Sequence, residues 1–183
     1  MQKILVIGYM HTKQDKRVYR TVKALAKRAE VIYQYLTDKK GTEYKEGNIQ
    51  YIPIEWHENL EANAFAKLWK RRKLDEKIMD LIKNTDFDVL YMHHFMPSRP
   101  LEPFRYAKKK GKKVVYDVHE YHPENFLANL RGTIGKMKAA VMKKILDKQI
   151  ELSDRLIFVS QEQMDYSLGK KKKEVLIVPN YAD

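Results

Sequence analysis

Lys112-Lys113-Val114-Val115-Tyr116-Asp117-Val118-His119-Glu120-Tyr121-His122-Pro123-Glu124 is an apolar, strand-like run that breaks off into two histidines and three acids. In an open α/β sheet, ligands bind in the crevice beyond the carboxyl ends of the strands. A strand that delivers His119 and Glu120 to that edge marks a place where chemistry can sit. For every other segment, the question is whether it reaches the same edge.

The neighbouring segments have the right form. Asp88 to Met92 reads as a strand ending in His93-His94, and Arg155 to Val159 as another. At the N-terminus, Ile4 to Ile7 is a fully apolar run closed by Gly8, which fits a buried parallel strand. From Lys16, Val18, Val22, Leu25 and Ala29 recur at helical intervals, and Asp15 sits where an N-cap is wanted. Glu30 to Leu36 and Ile49 to Ile54 are strands, separated by a polar, hairpin-like excursion from Thr37 to Asn48. Ala62 to Lys83 and Thr133 to Leu152 are long helices, the second interrupted early by Gly135. Ser98 with Pro100 marks a helix start, and that helix runs to Lys110 before Gly111 ends it. Ser160-Gln161-Glu162-Gln163 has capping-box spacing, and Glu174 to Val178 is the last strand. Strands alternating with helices predict an α/β domain, a Rossmann-like doubly wound parallel sheet in three layers. A chain of 183 residues suits a single domain of this kind.

Composition narrows the function. The chain has no cysteine, which removes disulfides and thiolate metal sites and is compatible with a reducing compartment. No window approaches the eighteen or so apolar residues of a membrane span, and the first apolar run is too short for a signal peptide. The expected location is the cytoplasm, with a peripheral position on the inner face of the cell membrane as the variant. The net charge of +12 calls for an anionic partner: nucleic acid, a membrane surface or a phosphorylated substrate.

Placement of the six histidines is the most informative feature. His11 follows the first strand, His93 and His94 end the fourth, and His119 and His122 follow the fifth; only His57 lies elsewhere. In a sheet of order 3-2-1-4-5 those strands are neighbours, so their loops meet, together with Asp15, Arg17, Asp117 and Glu120. Asp15 also reads as a helix cap, and Asp117 as a buried, hydrogen-bonded acid. His119 has the best claim to chemistry, because an imidazole titrating near 6.5 both accepts a proton and hydrogen-bonds a hydroxyl at cellular pH. Two uses stay open. Histidines with carboxylates bind divalent metals, although His119-Glu120-Tyr121-His122 lacks the i, i+4 helical pair of a zincin. Alternatively, the crevice orients a polyhydroxylated or phosphorylated substrate. Gly8-Tyr9-Met10-His11-Thr12-Lys13-Gln14-Asp15 is not G-x-G-x-x-G, which argues against a nicotinamide or flavin enzyme. The helix that follows still aims its N-terminal amides at the crevice, where a phosphate could sit.

Four stretches, the last of them in two segments, resemble one family. Asp15 to Leu25 looks like a D-x-R-V helix opening, and Asp88 to His93 like a D-V-V-H-x-H strand with Tyr91 replacing the first histidine. Val114 to Glu120 looks like V-Y-D-x-H-E. Ser153 to Ser160 and Val178 to Asp183 are similar to A-D-x-x-I-x-V-S and I-P-N-G-V-D. In order and spacing these resemble the N-terminal lobe of GT-B glycosyltransferases, particularly the retaining glycosyltransferase family 4. The resemblance implies a lobe that mainly receives the acceptor, while a second lobe holds most of the nucleotide-sugar. It implies a catalytic position for His119 beside the reacting sugar, and substrate-binding positions at Gly8, His11, Asp15, Arg17, His93, His94 and Glu120. Neither metal nor cofactor is implied. The nucleotide-sugar is a co-substrate, and the other partner is a glycan or lipid-linked acceptor in cell-envelope or polysaccharide synthesis. The chain stops at Asp183, where the hinge to a second lobe would begin, and the E-x7-E signature of that lobe has no place in it. Residues 1–183 are therefore expected to be one lobe, inactive alone.

The charge keeps a rival reading alive, a non-catalytic basic module docking on a membrane surface or nucleic acid. Lys67 to Lys77 and Lys136 to Lys148 mix basic residues with Trp69, Leu74, Met137, Val141 and Met142, a composition suited to an anionic bilayer. Basic runs scattered over several elements, without an RNA-recognition signature, argue against nucleic acid. Lys108 to Lys113 and Gly169 to Lys173 sit in helix-to-strand turns and read as structural.

Overall fold

Successive residues of the first strand bury opposite sides, and that alternation sets up two cores. In the computed structural model, which describes residues 1–57, 63–93, 96–118 and 132–180, Lys3–Thr12 forms β1. Its Leu5 and Ile7 enter one core and its Ile4 and Val6 the other. The elements that follow are α1 (Lys16–Leu25), β2 (Glu30–Thr37), β3 (Tyr44–Glu46), β4 (Ile49–Glu55), α2 (Ala64–Asn84) and β5 (Val89–Met92). After them come α3 (Glu102–Lys109), β6 (Lys113–Val118), α4 (Thr133–Leu152), β7 (Arg155–Phe158), α5 (Gln161–Leu168) and β8 (Glu174–Ile177). The sheet order is β3-β4-β2-β1-β5-β6-β7-β8. Every pairing is parallel except that of β3 with β4.

This is the expected doubly wound α/β sheet. The strands bearing His11, His93 and His119 at their ends, β1, β5 and β6, are adjacent. The order in which strands are added reverses at β1, so the crevice opens beyond its C-terminal end. Val18 and Val22 of α1 pack on one face, whereas Leu74, Ile78, Phe104, Leu146, Ile150 and Leu168 bring α2 to α5 onto the other. Fully buried side chains such as Leu5, Leu90, Leu156 and Phe158 each contribute roughly 1.5–3 kcal/mol by burial.

Local chemistry explains where elements begin. Asp15 Oδ1 accepts from Val18 N–H at 3.2 Å and starts α1, while Ser160 Oγ accepts from Gln163 N–H at 3.1 Å and starts α5. The lysines of the turns also act structurally. Lys108 reaches Asp154 at 2.8 Å, and Lys173 donates to the terminal carbonyls of Glu151 and Ser153 at 2.9 and 2.7 Å.

Four expectations need correction. Gly8 does not end β1, which continues to Thr12 with a register shift after Ile7. A Cβ at Gly8 would lie 2.8 Å from the Gln34 carbonyl oxygen, so glycine is needed for that close approach. Ser98 does not start α3, which begins at Glu102; its N–H and Oγ–H both donate to Asp75, at 2.9 and 2.6 Å. Gly135 does not interrupt α4, which runs through it from Thr133. Leu74, grouped by sequence with a bilayer-facing set, is 2 % exposed and belongs to the core under α2.

Candidate functional site

The left-handed backbone at Tyr9 shapes the entrance. Its φ is +53°, a conformation costing about 1–3 kcal/mol that persists only where the surroundings impose it. Gln34 imposes it by accepting from Tyr9 N–H at 2.8 Å and donating to Tyr9 C=O at 3.2 Å. The phenol then donates to buried Asp75 at 2.8 Å. Burial, reinforced by the Asp75 charge, pushes the Tyr9 phenol far above its ordinary pKa. Gly8 and Tyr9 thus turn the chain so that His11 arrives at the crevice.

His11 Nδ1 lies 2.9 Å from Asp15 Oδ2. A carboxylate only accepts, so in the neutral imidazole the proton sits on Nδ1 and Nε2 is the acceptor nitrogen. The His11 ring meets that of His93 edge-on, with centroids 6.3 Å apart. His93 is 1 % exposed, and its Nδ1 lies 3.3 Å from Asp117 Oδ2. Asp117, itself 2 % exposed, also accepts from the Tyr91 hydroxyl at 3.3 Å. Burial first, and the Asp117 charge second, raise the Tyr91 phenol well above its ordinary pKa.

Arg17 neutralises the buried acid. Its Nη2–H donates to Asp117 Oδ1 at 2.7 Å and its Nε–H to Oδ2 at 3.3 Å, a forked pair. Its Nη1 donates to Val178 C=O at 2.8 Å and Asn180 Oδ1 at 2.6 Å. One guanidinium therefore joins α1, β6 and the segment after β8. With most of its donors committed, Arg17 positions its neighbours and has little capacity left for a ligand.

A cavity of about 620 Å³ opens beside this cluster, lined by His11, Arg17, Arg20, Tyr91, Pro179 and Asn180, among others. A cleft of about 770 Å³ lies between α2 and α3, but there Arg72 and Arg99 are paired with Glu76 and Glu102. The histidine-lined cavity is the better candidate, because it is lined by His11, Arg17 and Tyr91 of the converging cluster.

Of the residues anticipated from sequence, His11, Asp15, Arg17 and His93 meet here. Gly8 is buried against β2 as a packing residue. His94, His119, Glu120 and His122 lie outside the described residues, although β6 ends at Val118, directly before His119. Among the described residues, no group of three or more His, Asp or Glu side chains is placed to hold a metal ion. Asp15 takes the Val18 amide at the start of α1 and sets a carboxylate there, which disfavours a phosphate. Sequence reasoning missed Tyr91 as an Asp117 partner, and Val178 and Asn180 as Arg17 partners. Both acid and base lay in the quoted motifs, but nothing in the sequence signalled their pairing. A histidine with a fixed tautomer, beside a second, buried histidine, a neutralised acid and a solvent-open cavity, suits the orientation of a hydroxyl-rich ligand.

A Rossmann-like lobe with its polar cluster at this edge is the architecture of GT-B glycosyltransferases. A sucrose-phosphate synthase structure from Thermosynechococcus elongatus matches it with a TM-score of 0.66 at 10 % identity, covering 100 % of this chain and 91 % of that one. The E. coli trehalose-6-phosphate protein bound with UDP-2-fluoro glucose matches with a TM-score of 0.55 at 14 % identity, over 89 % of this chain and 41 % of that one. Arabidopsis thaliana UGT89C1 complexed with quercetin matches with a TM-score of 0.57 at 9 % identity, over 97 % and 50 % respectively. These likenesses establish a shared fold, and the chain spans half or less of the latter two proteins. No curated protein matches the sequence. The sequence profile of Glycosyltransferase Family 4 matches residues 14–183, and the chain belongs to that family.

Proposed function

We propose that the chain is the acceptor-side lobe of a retaining glycosyltransferase. It moves a sugar from a nucleotide-sugar to a glycan or lipid-linked acceptor in cell-envelope or polysaccharide synthesis. The observation that carries this reading is the convergence of His11, His93 and the Arg17–Asp117 pair at the C-terminal strand edge, in a chain of Glycosyltransferase Family 4. The nucleotide-sugar analogue in one structural neighbour and the quercetin in another are the donor and acceptor kinds that support it.

In this reading His119, first after β6, stands beside the reacting sugar, and His94 and Glu120 complete the wall begun by His11 and His93. His11 Nε2 accepts from an acceptor hydroxyl while Asp15 holds the ring. Arg17 pairs with Asp117 and holds β6 in place. Neither metal nor cofactor takes part, and a second lobe supplies most donor contacts.

Titration of the lobe with sugar acceptors, followed by NMR, should perturb resonances around His11 and His93. Perturbations confined to the opposite sheet edge would refute the site. In a two-lobed protein, His119→Ala should lower transfer by about 10²–10⁴-fold with the fold intact, and a near-normal rate would remove its catalytic role.

A further inference from the structure

Two helices outrun the sheet they cover. Helix α2 joins β4 to the parallel strand β5, and α4 joins β6 to the parallel strand β7. Each therefore begins at the C-terminal strand edge and runs back along the same face. Apart from Gly135, none of the described side-chain positions in their first halves is buried. No residue from Phe65 to Lys73 is buried, and Leu74 is the first core residue of α2. In α4 no residue between Gly135 and Leu146 is buried. At about 1.5 Å per residue, each unburied stretch is roughly 15 Å of helix.

These projecting halves carry apolar side chains where solvent would favour polar ones. Phe65, Leu68 and Trp69 have the i, i+3, i+4 spacing of one helix face, and Met137 and Val141 are an i, i+4 pair. Each is between 51 % and 77 % exposed. Residues 64–74 hold Lys67, Lys70, Arg71, Arg72 and Lys73, and residues 133–146 hold Lys136, Lys138, Lys143 and Lys144. Neither stretch contains an acid. Side chains hold the bases beside the aromatics, with Arg72 and Lys73 lying 5.8 and 5.7 Å from the Trp69 ring centroid.

We propose that the projecting halves of α2 and α4 form a docking surface for an anionic lipid bilayer. Phe65, Leu68, Trp69, Met137 and Val141 enter the headgroup boundary, and the surrounding lysines and arginines meet the lipid phosphates. Charge complementarity selects this occupant. Of the nine cations Arg72 pairs with Glu76 and Lys143 with Asp147 within the chain; a protein partner would have to place acids opposite the others on two separate helices, whereas an anionic leaflet presents its charge as a continuous plane. Exposed apolar residues ringed by bases, with an aromatic at the boundary, are what interfacial helices display. The surface lies at the sheet edge where the candidate site opens, which would bring that site within reach of a membrane-held acceptor. The docking inference itself rests only on the two helices and not on the transferase reading.

The test is co-sedimentation of the 183-residue chain with vesicles of phosphatidylcholine containing phosphatidylglycerol, against phosphatidylcholine alone. Binding should require the anionic lipid and weaken as salt shortens the Debye length from about 10 Å at 0.1 M to about 3 Å at 1 M. Lys67→Glu with Lys138→Glu should weaken it by at least about tenfold. Lys170→Glu with Lys172→Glu, an equal charge change in the turn at the opposite edge, should have little effect. Leu68→Ser with Trp69→Ser should reduce binding while circular dichroism stays unchanged, since both residues are exposed. Absence of binding to anionic vesicles overturns the proposal. So does an equal loss in the two charge pairs, which would mean net charge alone is responsible. Vesicle binding left intact by the Leu68 and Trp69 changes, with altered self-association, would assign the face to a second copy of the chain instead.

Discussion

Replacing Arg17 by methionine isolates the energetics at the centre of the candidate site. Methionine keeps most of the aliphatic stem and removes only the guanidinium. The partner left behind, Asp117, has a side chain 1 % exposed, and its other contacts include the Tyr91 hydroxyl and His93 Nδ1, each at 3.3 Å. Stripping one member from a buried ion pair costs about 3–5 kcal/mol, because the other charge stays buried and uncompensated. For a chain of this length that lowers Tm by roughly 10 °C. The reverse change, Asp117→Asn, should cost less, about 1–3 kcal/mol. Arg17 is 13 % exposed and keeps Val178 C=O and Asn180 Oδ1 as acceptors. The double variant should be less destabilised than the sum of the two, since removing both charges leaves none stranded. Arg155→Met provides the scale, because its pair with Glu174 is 70 % and 71 % exposed and should be worth at most about 1 kcal/mol. Urea unfolding followed by circular dichroism measures all four. If Arg17→Met costs no more than Arg155→Met, or less than Asp117→Asn, the argument from burial is wrong.

Two further outcomes follow from features away from the site. Within α2, Leu74→Ala should cost about 2–5 kcal/mol while Leu68→Ala stays within about 0.5 kcal/mol, since the first is 2 % and the second 62 % exposed; comparable urea midpoints would contradict the projecting-helix geometry. At Asp154, burial by itself would raise the carboxyl pKa, but Lys108, the Val114 N–H and Lys113 outweigh it and hold the pKa below the usual carboxylate range. The resulting stability is present above the unfolded-state pKa of about 4 and is lost as pH falls through the lower folded value. Asp154→Asn should therefore be less stable than the parent chain at neutral pH and converge with it under acid, as thermal melts across that range would reveal.

What was legible in the sequence was periodic or local. The span Thr133 to Leu152 coincides with α4 because its packing follows the helical repeat. The caps at Asp15 and Ser160 act within three residues of themselves. The adjacency of the first, fourth and fifth strands follows from parallel strands joined by right-handed crossovers. The features that escaped depend on distant chain or on shape. Gln34 forces Tyr9 into the left-handed region from another strand, and the Arg17 pairing spans a hundred residues. Ser98 looks like a cap until Asp75 is seen to take both its donors. Leu68 and Leu74 both read as apolar residues of one helix, and only the packing separates the solvent-facing one from the core one. For the site, sequence identified the strand ends that meet, but not the Arg17 junction that ties two of them to the segment after β8.

That junction has a kinetic consequence. Its partners lie 100, 161 and 163 residues from Arg17, so the loops it closes are among the most expensive in entropy that this chain can form. Pairing of β1 with β2 and of β2 with β4 involves far nearer segments and can precede it. The Arg17 contacts can close only when β6 and β8 have docked, near the end of folding. A fluctuation that releases β8 breaks the contacts to Val178 and Asn180 without disturbing the Arg17–Asp117 pair or the strands on the far side of β1. The Val178–Asn180 arm of the junction is then among the last parts of the lobe to close and the first to open, and amide exchange there would measure how often the Arg17 junction is complete.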